Sequence, residues 1–373
     1  MLEIEATLLL LSPLSLSSGM EKPVSTSPPT SVEPRHAHHH HALDSAPAQQ
    51  GATGLKGVLL PAVIVLVSGS IFVSVFLSAF HAPRPHDLPV AVVGATEQVE
   101  QVTGALELGL PGGFDVKRYA DKNAARHALV SRKVYAAYIT DPGKSPELLY
   151  AGANGPSVTS TVTGAFSAVA QQGGDRLTVR DTVPAPAGDT RGMSVFYAGF
   201  GVVLAGFLFG MMTYQIAPRL EYRWRLASLA AFSVAAGLLV AVIAGSVGFS
   251  ALPGPFLGIS GIIALMAAAV GSATMAFMRL FGRAGMSLAA VVLFTFGNST
   301  SGGTLPTAYL PGWLHPFSEI LPVGVGVRAI QGLSHFRNDG LTAGVIVLVV
   351  WILIAAAALY WRDARGTRTQ PAA

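Results

Sequence analysis

The run FLGISGIIALMAAAVGSATMAFM, residues 256–278, carries no charged side chain and no proline. It exceeds the roughly 20 apolar residues that a helix needs to cross a hydrocarbon core of about 30 Å. The chain holds four more such runs, at 57–80, 193–217, 226–250 and 341–361. A sixth, 284 to about 298, is apolar but short and runs into an uncharged Gly/Pro-rich region, so it is expected to span with help from that region. The rest of the composition agrees. Of 373 residues 51% are hydrophobic and 12% charged, and of the 24 Lys plus Arg and 20 Asp plus Glu only ten lie between Met193 and Trp361. Disordered, collagen-like and small disulfide-rich classes are excluded. The absence of cysteine also removes disulfides and thiolate metal sites. The expected fold is an α-helical polytopic membrane protein with six transmembrane helices.

Short loops orient it, because Lys and Arg collect on the cytoplasmic side. Arg219, Arg223 and Arg225 lie between the second and third runs, Arg279 and Arg283 between the fourth and fifth, and Arg362, Arg365 and Arg368 after the last. These three regions alternate onto one face. The opposite face has the uncharged 251–255 loop and the 299–340 stretch, where Arg328 and Arg337 are matched by Glu319 and Asp339. Both termini are therefore expected in the cytoplasm of a multi-pass protein of the cell (plasma) membrane, with residues 81–192 outside. That outer segment has eleven basic and eleven acidic residues, so the net charge of +4 is a topology signal and no nucleic-acid partner is expected.

The expected domain organisation is a tail over 1–54, a helix over 55–80, an extracytoplasmic domain over 81–192, a membrane domain over 193–361 and a cytoplasmic tail over 362–373. The first twenty residues have Glu3 and Glu5 where a signal peptide has basic residues, and Met20 is an alternative start. Residues 20–54 are too poor in apolar side chains to offset the entropy of ordering, which predicts disorder. Their run Arg35-His36-Ala37-His38-His39-His40-His41 has imidazoles that can take a transition metal; a solvated low-complexity tract or a tag remnant is the simpler account.

The outer segment alternates in the manner of a small α/β domain. Residues 88–93 suit a buried strand, 96–108 a helix, 114–119 a strand and 121–130 a helix with Asp121 as its N-cap. Strand patterns recur at 134–139, 148–151 and 177–183, with a helix at 157–171 between the last two. Pro111-Gly112-Gly113 is a turn and not a phosphate loop, since neither a helix start nor a Lys-Ser/Thr pair comes after it.

Several chemistries are missing. The chain has no Gly-x-x-x-x-Gly-Lys-Ser/Thr, so P-loop ATP hydrolysis belongs, if anywhere, to a partner. No Asp, Glu, Lys, Arg or His lies within the six apolar runs, which disfavours a proton relay. Gly258-Ile259-Ser260-Gly261 matches the Gly-x-Ser-Gly of rhomboid proteases, but a serine nucleophile needs a base and the sixth helix has no histidine. Small-residue helix packing is the expected role of that tetrad and of Gly201-xxx-Ala205 and Gly206-xxx-Gly210, with an oligomer contact at the latter two as an alternative. No catalytic residue, cofactor or metal ligand is assigned.

The most informative stretch starts at Phe296-Gly297-Asn298-Ser299-Thr300-Ser301-Gly302-Gly303-Thr304-Leu305-Pro306. It continues through Tyr309-Leu310-Pro311-Gly312-Trp313-Leu314 to Leu321-Pro322-Val323-Gly324-Val325-Gly326-Val327-Arg328 and His335-Phe336. Gly/Pro breaks and two short apolar pieces suggest a segment that dips back into the outer leaflet, where non-helical backbone must be buried in protein or line a cavity. An ordinary outer loop with interfacial Trp and Tyr is the alternative. With this series and its topology the chain, from Lys56 to Arg362, resembles the ABC-2 membrane permease superfamily, nearest to the phage infection protein (YhgE/Pip) branch. That branch similarly has one helix, an outer domain, five further helices and an Asn-x-x-Ser-Gly-Gly-x-x-Pro, Leu-Pro, Leu-Pro-x-Gly, Arg and Phe series before the last helix. Its outer domain is larger than this one, and a loop as short as 218–225 is unusual for a coupling helix.

The resemblance implies an exporter half. Two copies, or one copy and a related chain, would pack in the lipid around a path and be driven by a separate nucleotide-binding ATPase subunit, with a hydrophobic or amphipathic substrate. Asn298, Ser301, Gly302, Gly303, Pro306, Pro311, Pro322 and Arg328 would form an outer re-entrant gate, and Arg219, Glu221, Arg223 and Arg225 the ATPase contact. The alternative is a non-transporting membrane protein, anchored by its helices, whose outer domain binds a partner such as a phage, a peptide or secretion machinery.

Overall fold

The computed structural model describes residues 55–368 other than Pro142; the tail 1–54 with its histidine run, and residues 369–373, lie outside them. Five helices among the described residues are long and apolar enough to cross a membrane: α1 (Leu55–Phe80), α5 (Ser194–Ile216), α6 (Tyr222–Ala244), α7 (Phe256–Phe281) and α12 (Leu341–Arg368). α7 is the hub, packed by α5, α6 and α12. Its interior face is lined by Ile263, Met266, Ala267 and Val270, all fully buried. Glycines set the approach. A methyl on Gly206 would lie 3.1 Å from Val270, one on Gly210 2.8 Å from the Gly271 carbonyl, and one on Gly237 2.4 Å from that of Ser260, whereas Gly201 and Gly261 face open space. The small residues at 206, 210 and 237 thus serve internal packing. Ser260 donates its hydroxyl to the Phe256 carbonyl of its own helix at 2.8 Å.

Two expected spans differ. The third ends at Ala244, not 250, because the chain folds into a tight turn there: Phe249 N–H bonds the Ile243 carbonyl at 2.8 Å and Ser250 N–H that of Gly245 at 2.8 Å. A side chain on Gly248 would lie 1.9 Å from the Ile243 oxygen, so the turn needs glycine. The short sixth run forms α8 (Arg283–Ala289), a π-helical stretch (Ala290–Phe296) and α9 (Gly297–Ser299) in unbroken succession. Its wider turns shorten the rise, and it falls below the length of the other five.

Between α1 and α5 the segment builds a five-stranded sheet: β1 (Leu88–Val93), β2 (Phe114–Arg118), β3 (Ala136–Ile139), β4 (Glu147–Tyr150) and β5 (Thr178–Asp181), ordered β2-β1-β3-β4-β5. β1 pairs in parallel with β2 (Val90 opposite Val116) and with β3 (Val90 opposite Ala136); β3 and β4 are antiparallel, β4 and β5 parallel. β1, an interior strand, is covered on both faces, which is why its sequence is continuously apolar. Val90 and Val92 face α2 (Thr96–Gly109) and α4 (Pro156–Gln172), while Ala91 and Val93 face α3 (Lys122–Val130). Asp121 caps α3 as expected, accepting from Ala124 N–H at 2.8 Å.

The segment is seated on the helices at several points. Leu305 and Tyr309 complete the core under one sheet face and Phe336 the core under the other. The Asp189 carboxylate, 8% exposed, takes the free N–H groups of Met193 and Ser194 at 2.9 Å each and so starts α5. Gly188 lies against the 249–250 backbone, too close for any side chain. At the other end of the helices, Asp363 of α12 accepts from Arg225 of α6 at 2.9 Å and Arg279 of α7 at 2.9 Å.

Candidate functional site

The Gly/Pro-rich stretch after α9 does not loop away. Its first part turns beneath the sheet, a short turn Thr307–Tyr309 comes after Pro306, and the His86 N–H from the sheet segment bonds the Ala308 carbonyl at 2.8 Å. Leu310 and Leu314 then pack against Val75 and Ala79 of α1. Two helices come next, α10 (His315–Ile320) and α11 (Pro322–Ser334). Pro322 suits the first turn of α11, where no N–H is needed. Val323, Val325, Val327 and Ile330 enter the same core as α5, α7 and α12. Close approach explains the glycines: a methyl on Gly324 would lie 2.2 Å from the Ser318 carbonyl, and one on Gly303 3.0 Å from Phe196.

The polar residues of this stretch are held mostly by backbone. Asn298, 1% exposed, donates to the Phe294 carbonyl at 2.8 Å while its Oδ1 has no partner. Ser301 donates to the Asn298 carbonyl at 2.9 Å. Gly302, at φ +73, presents its carbonyl to Gln331 Nε2 at 3.4 Å. Arg328 grips Asp339 through two bonds of 3.1 Å.

Between this stretch and the sheet segment lies a cleft of about 1120 Å³. Ser301, Gly302 and Arg328 line it; Asn298, Gly303, Pro306, Pro311 and Pro322 shape the backbone around it without lining it. The opposite wall brings residues the sequence reading did not single out, chiefly Arg132, Lys133 and Tyr135. Arg132 Nη1 donates to Gln331 Oε1 at 2.6 Å, and its guanidinium lies 4.9 Å from the centre of the Phe336 ring. The signal available in the sequence was Ser131-Arg132-Lys133, a basic turn between helix and strand; its partner Gln331 is 199 positions away. His335, beside this contact, has its pKa lowered by burial and by the Arg132 charge, with Asp189 acting the other way.

The loop 218–225 divides in two. Arg219, Glu221 and Arg223 are exposed, and Arg223 pairs with Glu221 at 2.8 Å and lies over the Trp224 ring at 5.8 Å. Arg225 is 6% exposed and engaged, with Nη1 on Asp363 and Nη2 on the Leu220 carbonyl at 2.7 Å. It belongs to the helix junction and is not available to an incoming protein. No group of three or more metal-ligating side chains occurs among the described residues. Comparison with protein-family models, curated proteins and solved structures finds no match.

Proposed function

We propose that the chain is the membrane-spanning permease subunit of an ABC-2-type exporter, nearest to the YhgE/Pip branch, moving a hydrophobic or amphipathic molecule with energy from a separate ATPase subunit. The observation that carries this reading is the path of residues 299–340. They return among α5, α7 and α12 and open onto a large cleft of mixed polar and apolar lining, as a re-entrant element lining a route is expected to do. In this reading the 283–299 helix is the sixth span and α11 the re-entrant piece. The sheet segment lies outside the cell, and both termini lie in the cytoplasm of the plasma membrane.

The contacts support that topology. Regions that the charge pattern assigns to the outer face touch one another, since 188 meets 249–250 and Arg132 meets Gln331. Regions assigned to the inner face meet at Arg225, Asp363 and Arg279. Arg219, Glu221 and Arg223 are then the exposed groups left to receive an ATPase, and two permease chains would complete the exporter. The test is purification in mild detergent from the native membrane, with identification of any nucleotide-binding subunit that accompanies the chain. Co-purification that is lost in the Glu221→Ala/Arg223→Ala double variant, with the variant inserted normally, is the expected result. If no ATPase accompanies the wild type, the reading fails and an anchored receptor or accessory protein takes its place.

A further inference from the structure

We propose that the cleft between the sheet segment and the helices binds an anionic amphiphile, its phosphate or carboxylate head held by Arg132 and Lys133 and its apolar tail leaving along α12. This names the class of molecule for the transport reading and rests on that reading only for movement, not for binding.

The head site is built at the end of α3. Lys133 N–H bonds the Ala128 carbonyl at 2.9 Å and Arg132 N–H that of Leu129 at 3.0 Å, the two bonds of a Schellman motif. The residue after the cap must then adopt the left-handed conformation, where glycine is favoured. Here it is Arg132, at φ +54. A strained arginine of this kind persists where its surroundings hold it, and the strain delivers a guanidinium into the cleft.

That guanidinium is bonded to a neutral amide, and no carboxylate pairs with it or with Lys133 among the described residues. The other cations of the cleft are committed: Arg328 to Asp339, and Lys117 to Asp115 at 3.2 Å. The acids without a partner, Asp87 and Glu319, are exposed at the rim, as is Lys133, so the half-buried Arg132 is the inner charge that no carboxylate offsets. The inner cleft therefore favours an anion.

The path for the tail is given by the opposite wall. Ala343 and Gly344, in the first turn of α12, line the cleft. One and two turns on, along the same face, Ile346 is 57% exposed and Val350 45%, and Leu353 and Ile354 continue the apolar strip. The volume exceeds the roughly 300–1000 Å³ common for small-molecule sites, which leaves room for a head and the start of a chain.

The experiment is equilibrium binding of radiolabelled palmitoyl lysophosphatidate to the full chain in a neutral detergent, with inorganic phosphate and monopalmitoylglycerol as competitors. Saturable binding that neither competitor displaces at equal concentration is expected. Arg132→Gly/Lys133→Gln should weaken it at least about tenfold, as the loss of charge-assisted bonds implies. Arg132→Gly places glycine where the Schellman turn prefers it, so loss of fold does not explain that result. Ala343→Trp, at an exposed position, should weaken it comparably by filling the exit. Unchanged affinity in both variants, or no saturable binding at all, overturns the proposal. Displacement by monopalmitoylglycerol reduces the cleft to an apolar site, and displacement by phosphate to a bare anion site; either rejects it. The assay uses no ATPase, so failure to find an ATPase leaves the binding result standing, and failure of binding leaves the exporter reading to its own test.

Discussion

Gly324 meets the Ser318 carbonyl so closely that a methyl has nowhere to go, while Gly261, one helix away, faces nothing within 4 Å. Gly324→Ala should therefore cost about 1 to 3 kcal/mol through forced backbone movement. Gly261→Ala should be neutral or stabilising by up to about 1 kcal/mol, because alanine is the better helix former. Thermal unfolding of the two variants in one detergent separates them. His335 gives a second residue-level prediction. Burial and Arg132 favour its neutral form, so its folded pKa lies below the ordinary 6.5. Above that value the protein carries no penalty from this group; as the pH falls through it, the unfolded chain takes up the proton first and stability is lost. His335→Gln should reduce the drop in melting temperature between about pH 7.5 and about pH 5.5. An equal drop in wild type and variant would assign the acid sensitivity elsewhere.

Asp363 joins three helices, α6, α7 and α12, through Arg225 and Arg279. Asp363→Ala strands the buried Arg225 and should lower stability by about 2 to 4 kcal/mol, toward the low side for a buried pair because Arg279 is open to water. Glu221→Ala should leave the melting temperature unchanged, since its pair with Arg223 is solvated at both ends. Sequence showed the arginines of this junction but not their shared acid, because α12 continues past the apolar run that ends at 361 and carries Asp363 inward. The elements of the sheet segment were legible for the opposite reason: most are locally patterned and bounded by Gly, Pro or a capping residue, as at Gly94, Gly113, Pro156 and Asp121. The early end of α6 was not, because nothing in an apolar run says that Gly248 must fold under Ile243. Nor was the cleft, whose walls come from residues about 200 positions apart and whose key arginine is aimed by a backbone angle.

For the molecule as a whole, the contacts pair the sheet segment with one end of the helices and the Arg225 junction with the other. Cysteines introduced at Ala120 and at Pro218, both exposed in a chain with no native cysteine, should react with an impermeant thiol reagent from opposite faces of sealed cells. Reaction from the same face would reject the topology. The helices also differ in how much they depend on one another. α1 is 6% buried and α7 61% over their most apolar windows, and the two least enclosed spans, α1 and α12, are the most apolar of the five. This ordering bears on biogenesis. α1, with little protein around it, is apolar enough to lodge in lipid unaided. α7 exchanges lipid contact for protein contact and depends on α5, α6 and α12 to receive it.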